Sequence, residues 1–224
     1  DIQMLRYKVE GFEKLTLRQK ALVYYLSEAA LQGRDILFDQ NGRYNLRIRR
    51  MLETVYTQYR GDRNSKDFRE LTTYLKRVWF ASGIHHHYGS EKFQPGFSEK
   101  WLRQTLADLN YSLDEEIFPV IFNPEVMPMR VNQKDGDDLI LTSAENYYGP
   151  GVTQAEAEEF YTQRKAVNDP HPIMMGLNSR LVKEDGELTE QVWREHGLYG
   201  SAITRIIDCL QKARPFCDTE KQQH

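Results

Sequence analysis

The sequence predicts an α+β fold, with a helix-rich N-terminal half followed by hairpins and helices. Three observations predict it. Up to about residue 110, apolar residues recur at helical spacing between capping residues and glycines. After that point Pro119, Pro124 and Pro128 interrupt the helical pattern. Further on, Asp185-Gly186 separates two short runs suited to strands.

The elements follow in order. Thr16-Leu17-Arg18-Gln19 is a capping box, and Leu22, Tyr25, Leu26 and Ala29 then share one helical face before Gly33. Ile48, Met51, Leu52, Val55, Tyr56 and Tyr59 define a second helix that stops at Gly61. A third starts near Ser65, turns Phe68, Leu71, Leu75, Val78 and Trp79 inward, and ends before Gly83. From Gly83 to Phe97 the periodicity fails, and turn-formers surround His85-His86-His87. Ser98 caps a helix carrying Trp101, Leu102, Thr105, Leu106 and Leu109, and Ser112-Leu113-Asp114-Glu115 opens another short one. Met129–Val131 and Leu139–Leu141 read as strands around the Lys134-Asp135-Gly136 turn. Thr153-Gln154-Ala155-Glu156 is a second capping box, starting a helix to about Lys165, and Pro170 and Pro172 mark a loop. Leu177–Glu184 and Glu187–Trp193 form a hairpin about Asp185-Gly186. A last helix from about Tyr199 to Ala213 buries Ile203, Ile206, Ile207 and Leu210. The 224 residues are expected to form a single structural unit, with 1–112 helical and 113–224 mixed as its subdivision.

Composition narrows the function. With 30 Lys+Arg against 33 Asp+Glu, the net charge is −3, which argues against nucleic-acid partners and against a polybasic membrane anchor. No apolar run approaches the roughly 20 residues of a membrane span. Two cysteines, Cys209 and Cys217, cannot make a disulfide scaffold, so a reducing, cytoplasmic setting is the default expectation. The start at Asp1 and an end without a helix stop signal read as a piece of a longer protein.

The chemistry-bearing motifs are sparse. Adjacent histidines point their rings to alternate sides of an extended segment, so His85, His86 and His87 do not readily converge on one ion, and no further ligand shows in the spacing. They read as cleft-lining or hydrogen-bonding groups, or as exposed residues without a role. Glu195-His196 lacks a second histidine one turn later and reads as a loop. No Gly-x-Ser-x-Gly elbow is present, and Cys209 reads as an inert helical thiol. Asp135-Gly136-Asp137-Asp138 reads as a solvated turn rather than a calcium loop. Tyr88, Tyr147 and Tyr148 stand out because they fall in glycine-containing loops, where an apolar ring with a polar tip suits peptide recognition.

Taken as whole segments, Trp79–Pro95, Ser143–Thr153 and Gly176–Glu184, in that order, resemble the dipeptidyl peptidase III family in its bacterial form. The resemblance implies a two-lobed zinc peptidase that releases dipeptides from the N-terminus of short peptides. It places this chain in the lower lobe, which contains a β-barrel, and makes an oligopeptide and the zinc-bearing remainder of the protein its partners. Zinc, its ligands and the general-base glutamate would lie outside this chain, which has no catalytic residue and no metal ligand of its own and would be inactive alone. The family's cleft loop matches His87, Tyr88 and Gly89 as substrate-binding residues. Tyr88 would pack on bound peptide, and Gly89 would let its backbone approach. His85 and His86 carry no assigned role. A non-catalytic helical protein-interaction module is the alternative expectation.

Overall fold

A computed structural model describes residue 3, residues 5–165, 170–171 and 173–224. Contacts gather the chain into two units: Asp1–Ile36 with Val192–His224, and Leu37–Gln191. Together they hold nine α-helices and a two-stranded sheet among the described residues, a helix-rich α+β composition.

The first unit is built on α1 (Leu17–Gln32) and α8 (Gly200–Ala213), followed by the short α9 (Glu220–Gln223). Thr16 closes the capping box onto Gln19, as its sequence predicts. Leu22, Ala213 and Cys217 form a small core, with Tyr25 stacked on Phe216. Arg18 donates to the Cys217 carbonyl at 2.6 Å and Arg205 to Gln32 at 2.8 Å, tying the ends of the chain together. The burial expected along α8 is only partly realised. Ala202 and Ala213 are buried, Ile203, Ile206 and Ile207 are half-buried, and Leu210 is exposed. A two-helix contact covers too narrow an arc to bury the whole apolar face.

In the second unit, α3 (Asn45–Gln58), α4 (Lys66–Ala81), α5 (Glu99–Asp108) and α6 (Ile117–Phe122) surround one dry core. Ile48, Leu52, Leu71, Leu75, Val78, Leu102 and Ile121 are fully buried there. Ser65 and Ser98 cap α4 and α5 through the N–H groups of Phe68 and Trp101. The subdivision expected at 112/113 falls within this core, which Leu102 and Leu106 share with Ile117 and Phe118.

Four local expectations are corrected. The helix expected at Ser112 begins at Ile117, because the acidic run before it is committed to arginines. Asp114 and Glu116 pair with Arg47, and Glu115 takes both guanidinium arms of Arg103 at 2.9 Å. Pro119 does not break that helix: it sits in the first turn, where an N–H has no intrahelical acceptor to lose. Trp79 is 40% exposed rather than inward, with its Nε1–H donating to Glu53 at 2.8 Å and its ring edge-on to Tyr56. The strands expected at 129–131 and 139–141 do not form a hairpin. Asp138 instead accepts the backbone N–H groups of Ile140, Leu141 and Gln154, which curls 139–142 into turns.

Helix α2 (Arg34–Gln40) forms where the spacing marks none and brings Phe38 into the core. The remaining elements match the sequence closely, and α7 (Gln154–Thr162) opens with the Thr153–Glu156 capping box. Strands β1 (Ser179–Glu184) and β2 (Glu187–Val192) flank Asp185 and Gly186, whose φ values of 51° and 87° give the left-handed turn such a hairpin needs. Glu195 and His196 lie in an exposed turn. Pro172 lies outside the described residues.

Candidate functional site

Beside the helical core of the second unit, short extended pieces join edge to edge. Ile84–His86 pairs with Glu91–Phe93, His86 N–H donating to Glu91 O at 2.7 Å and Phe93 N–H to Ile84 O at 2.8 Å. Ser90–Lys92 then pairs with Pro128–Arg130 through Lys92 N–H to Pro128 O (2.9 Å) and Arg130 N–H to Ser90 O (2.8 Å). The Arg130 carbonyl accepts from Ala144 and Glu145, and Tyr147–Gly149 runs parallel to β1 through Leu181. Most pieces are too short to be strands, yet together with the β1–β2 hairpin they make one hydrogen-bonded ribbon. Its members come from all three segments that carry the sequence resemblance.

Two buried groups fix the ribbon to its surroundings. Lys92, 6% exposed, donates its ammonium to the carbonyls of Val120 (3.1 Å), Asn123 (2.5 Å) and Val126 (2.5 Å). These carbonyls lie at and beyond the C-terminal end of α6, where a cation is favoured. Burial lowers the Lys92 pKa, and Glu125 opposes that shift. His85, 3% exposed, hydrogen-bonds Met127 O through Nε2 at 2.9 Å. Burial pushes its pKa down to about 4; the Met127 bond opposes this, and the charges of Lys92 and Arg130 reinforce it. Its Nδ1 is buried without a hydrogen-bond partner.

The loop at the ribbon's end holds His87, Tyr88 and Gly89. The Nδ1 of His86 accepts the N–H groups of Tyr88 (3.3 Å) and Gly89 (3.1 Å), and Ser90 N–H closes the turn on His86 O at 3.0 Å. His87 stands edge-on to Phe80 at 4.8 Å and against Tyr88 at 4.5 Å. Tyr88 is 85% exposed and Phe80 49%, so an aromatic surface faces outward. A Cβ at Gly89 would lie 2.0 Å from the Glu91 carboxylate, so the glycine keeps that side chain folded back on the loop. Ser82, Ser90 and Met127 all carry positive φ (54°, 64° and 50°), placing non-glycine left-handed backbone around this loop.

The structure adds Arg130 and Glu145, which the sequence did not single out, and sets them beside Tyr147, which it did. Arg130 donates to His87 O at 3.2 Å. Glu145 is half-buried; burial raises its pKa, and Arg130 pulls it back. Burial also raises the Tyr147 phenol, with Glu145 reinforcing and Arg130 opposing. Between them Asn146 is buried, its amide donating to Asp39 at 3.0 Å, and Tyr148 joins the cluster of Val152, Phe160 and Leu181. Buried Asn146 separates Glu145 from Tyr147 in a turn. The Glu-Asn-Tyr-Tyr run before Gly149 was the available sequence signal. Two cavities also open on this unit. One of about 880 Å³ is lined by Tyr59 and Trp101, and one of about 390 Å³ by Tyr148 and Tyr161.

The three histidines are separately employed. Among the described residues, no three His, Cys, Asp or Glu side chains stand where they could share a metal ion. Nor is any helix there long and apolar enough to cross a membrane. No protein-family profile matches the sequence, and no curated protein matches it. Among solved structures, the chain is similar to a DPP III from Caldithrix abyssi, with a TM-score of 0.57 at 18% identity. The match takes in 95% of this chain and 30% of the other, so the chain spans less than a third of that peptidase. The likeness is one of fold.

Proposed function

We propose that this chain is the peptide-gripping portion of a peptidase of the dipeptidyl peptidase III type. The observation that carries the reading is the ribbon: three segments far apart in sequence are joined, the first by way of Pro128–Arg130, in one backbone-paired surface. The fold likeness to the Caldithrix abyssi enzyme supports it. In this reading any catalytic metal would be held by residues outside this chain. The chain's own task would be binding and alignment.

An extended peptide offers backbone donors and acceptors, side chains of alternating direction, and a charged amino terminus. Tyr88 and Phe80 present rings against which side chains can lie. Glu145 is the group for the terminal ammonium, since the ribbon's other carboxylates are less suitable. Glu91 is folded along its own loop, Glu190 already accepts from Ser179 (2.6 Å) and Tyr161 (3.1 Å), Glu184 accepts from Gln191 (2.9 Å), and Glu187 is exposed at the hairpin's tip, away from the aromatic loop in sequence. By itself the chain would bind peptide without cutting it.

Titration of the whole chain with tetra-alanine, followed by amide NMR, tests the reading. Saturable shifts at residues 86–90, 130 and 144–148, weaker for the N-acetylated peptide, are expected. A response confined to the 880 Å³ cavity, or none at all, would reject it.

A further inference from the structure

Arg130 occupies the crossing point of the ribbon. Its N–H reaches Ser90 O at 2.8 Å, its carbonyl accepts from Ala144 and Glu145 at 3.0 and 3.1 Å, and its guanidinium holds His87 O at 3.2 Å. One residue thus touches the aromatic loop and the Glu145 segment at once. Its Nε is buried with no hydrogen-bond partner, so this guanidinium is not fully spent on structural hydrogen bonds. Such a cost is retained where the charge itself is needed.

We propose that Arg130 is a positioning residue of the peptide site: joined to Glu145 through its backbone carbonyl and to His87 O through its guanidinium, it sets a positive charge near the Glu145 carboxylate and keeps the His87–Gly89 loop seated beside it. The role rests on the peptide-gripping reading. A half-buried carboxyl group drifts toward its neutral form, which grips an ammonium ion poorly. Arg130 and the phenols of Tyr147 and Tyr148 interact electrostatically with Glu145. Both phenols are pushed up by burial and by Glu145, so they stay neutral near pH 7. Arg130 is therefore the one group in that set that can hold the carboxylate charged. Arg130 draws no closer to catalysis than this: it would act through Glu145 and His87.

The test is a side-chain carboxyl NMR titration of the whole chain. Replacing Arg130→Gln is expected to raise the Glu145 midpoint by about one pH unit, as removal of a neighbouring opposite charge does. Arg130→Lys keeps the charge and is expected to leave the midpoint near its original position. A parallel tetra-alanine titration should lose its low-pH limb at a correspondingly higher pH in Arg130→Gln only. An unmoved midpoint in Arg130→Gln, with native amide dispersion, would overturn the proposal, as would equal movement in both variants. A raised midpoint without peptide binding in any variant would keep the coupling and remove the peptide-gripping reading beneath it.

Discussion

The helical core and the ribbon of the second unit solve the same problem with different materials. The core around Leu71, Leu75 and Leu102 is apolar and wholly buried, and its helices satisfy their own backbones. The ribbon has few buried apolar side chains. It is held by cross-paired backbone, by a buried ammonium on three carbonyls and by a neutral buried histidine. The difference teaches where function can live. A dry core tolerates little besides packing, whereas a surface held by directional polar bonds can leave rings and carboxylates facing outward.

The comparison can be broken first at the core. Leu75→Ala, at a fully buried position, is expected to cost about 3 kcal/mol in urea unfolding. A cost below about 1 kcal/mol would mean that the core is looser than it looks. The ribbon should instead answer to acid. The folded pKa of His85, about 4, lies below its ordinary 6.5, so the unfolded chain binds the proton more readily. The stability from keeping His85 neutral is complete above about pH 6.5 and drains away as pH falls toward 4. A shift of that size is worth up to about 3 kcal/mol. His85→Gln should flatten that part of the stability profile, a change that unfolding midpoints across pH 4–7 would show. Tyr88→Ala sharpens the contrast from the other side. At 85% exposure it should change stability by no more than about 0.5 kcal/mol while weakening tetra-alanine binding several-fold in the same titration. A large stability loss would make Tyr88 a structural residue.

This contrast also sets what the sequence makes legible. Periodicity and caps place α1, α3, α4, α5 and α7 to within a few residues, because those helices are decided by local pattern. The Asp185-Gly186 hairpin is legible for the same reason, since two left-handed residues fix the turn. The ribbon is not local. Whether Met129–Val131 finds a hairpin partner or pairs with Glu91 depends on contacts tens of residues away, and Asp138 decides the matter by capturing three N–H groups for a turn. The acidic residues before α6 mislead similarly, because arginines on other helices claim them. His87, Tyr88 and Gly89 are brought together as one loop, and Arg130 and Glu145 arrive beside it only through the ribbon's pairing.

The seat of Lys92 has a chemical corollary. An ammonium ion surrounded by three carbonyls and closed off from water is a poor nucleophile and a poor target. Acylating reagents that mark surface lysines would pass it over for as long as the loop after α4 stays docked. The same charge that fastens this segment to the end of α6 thus doubles as an internal gauge of whether the segment has come loose.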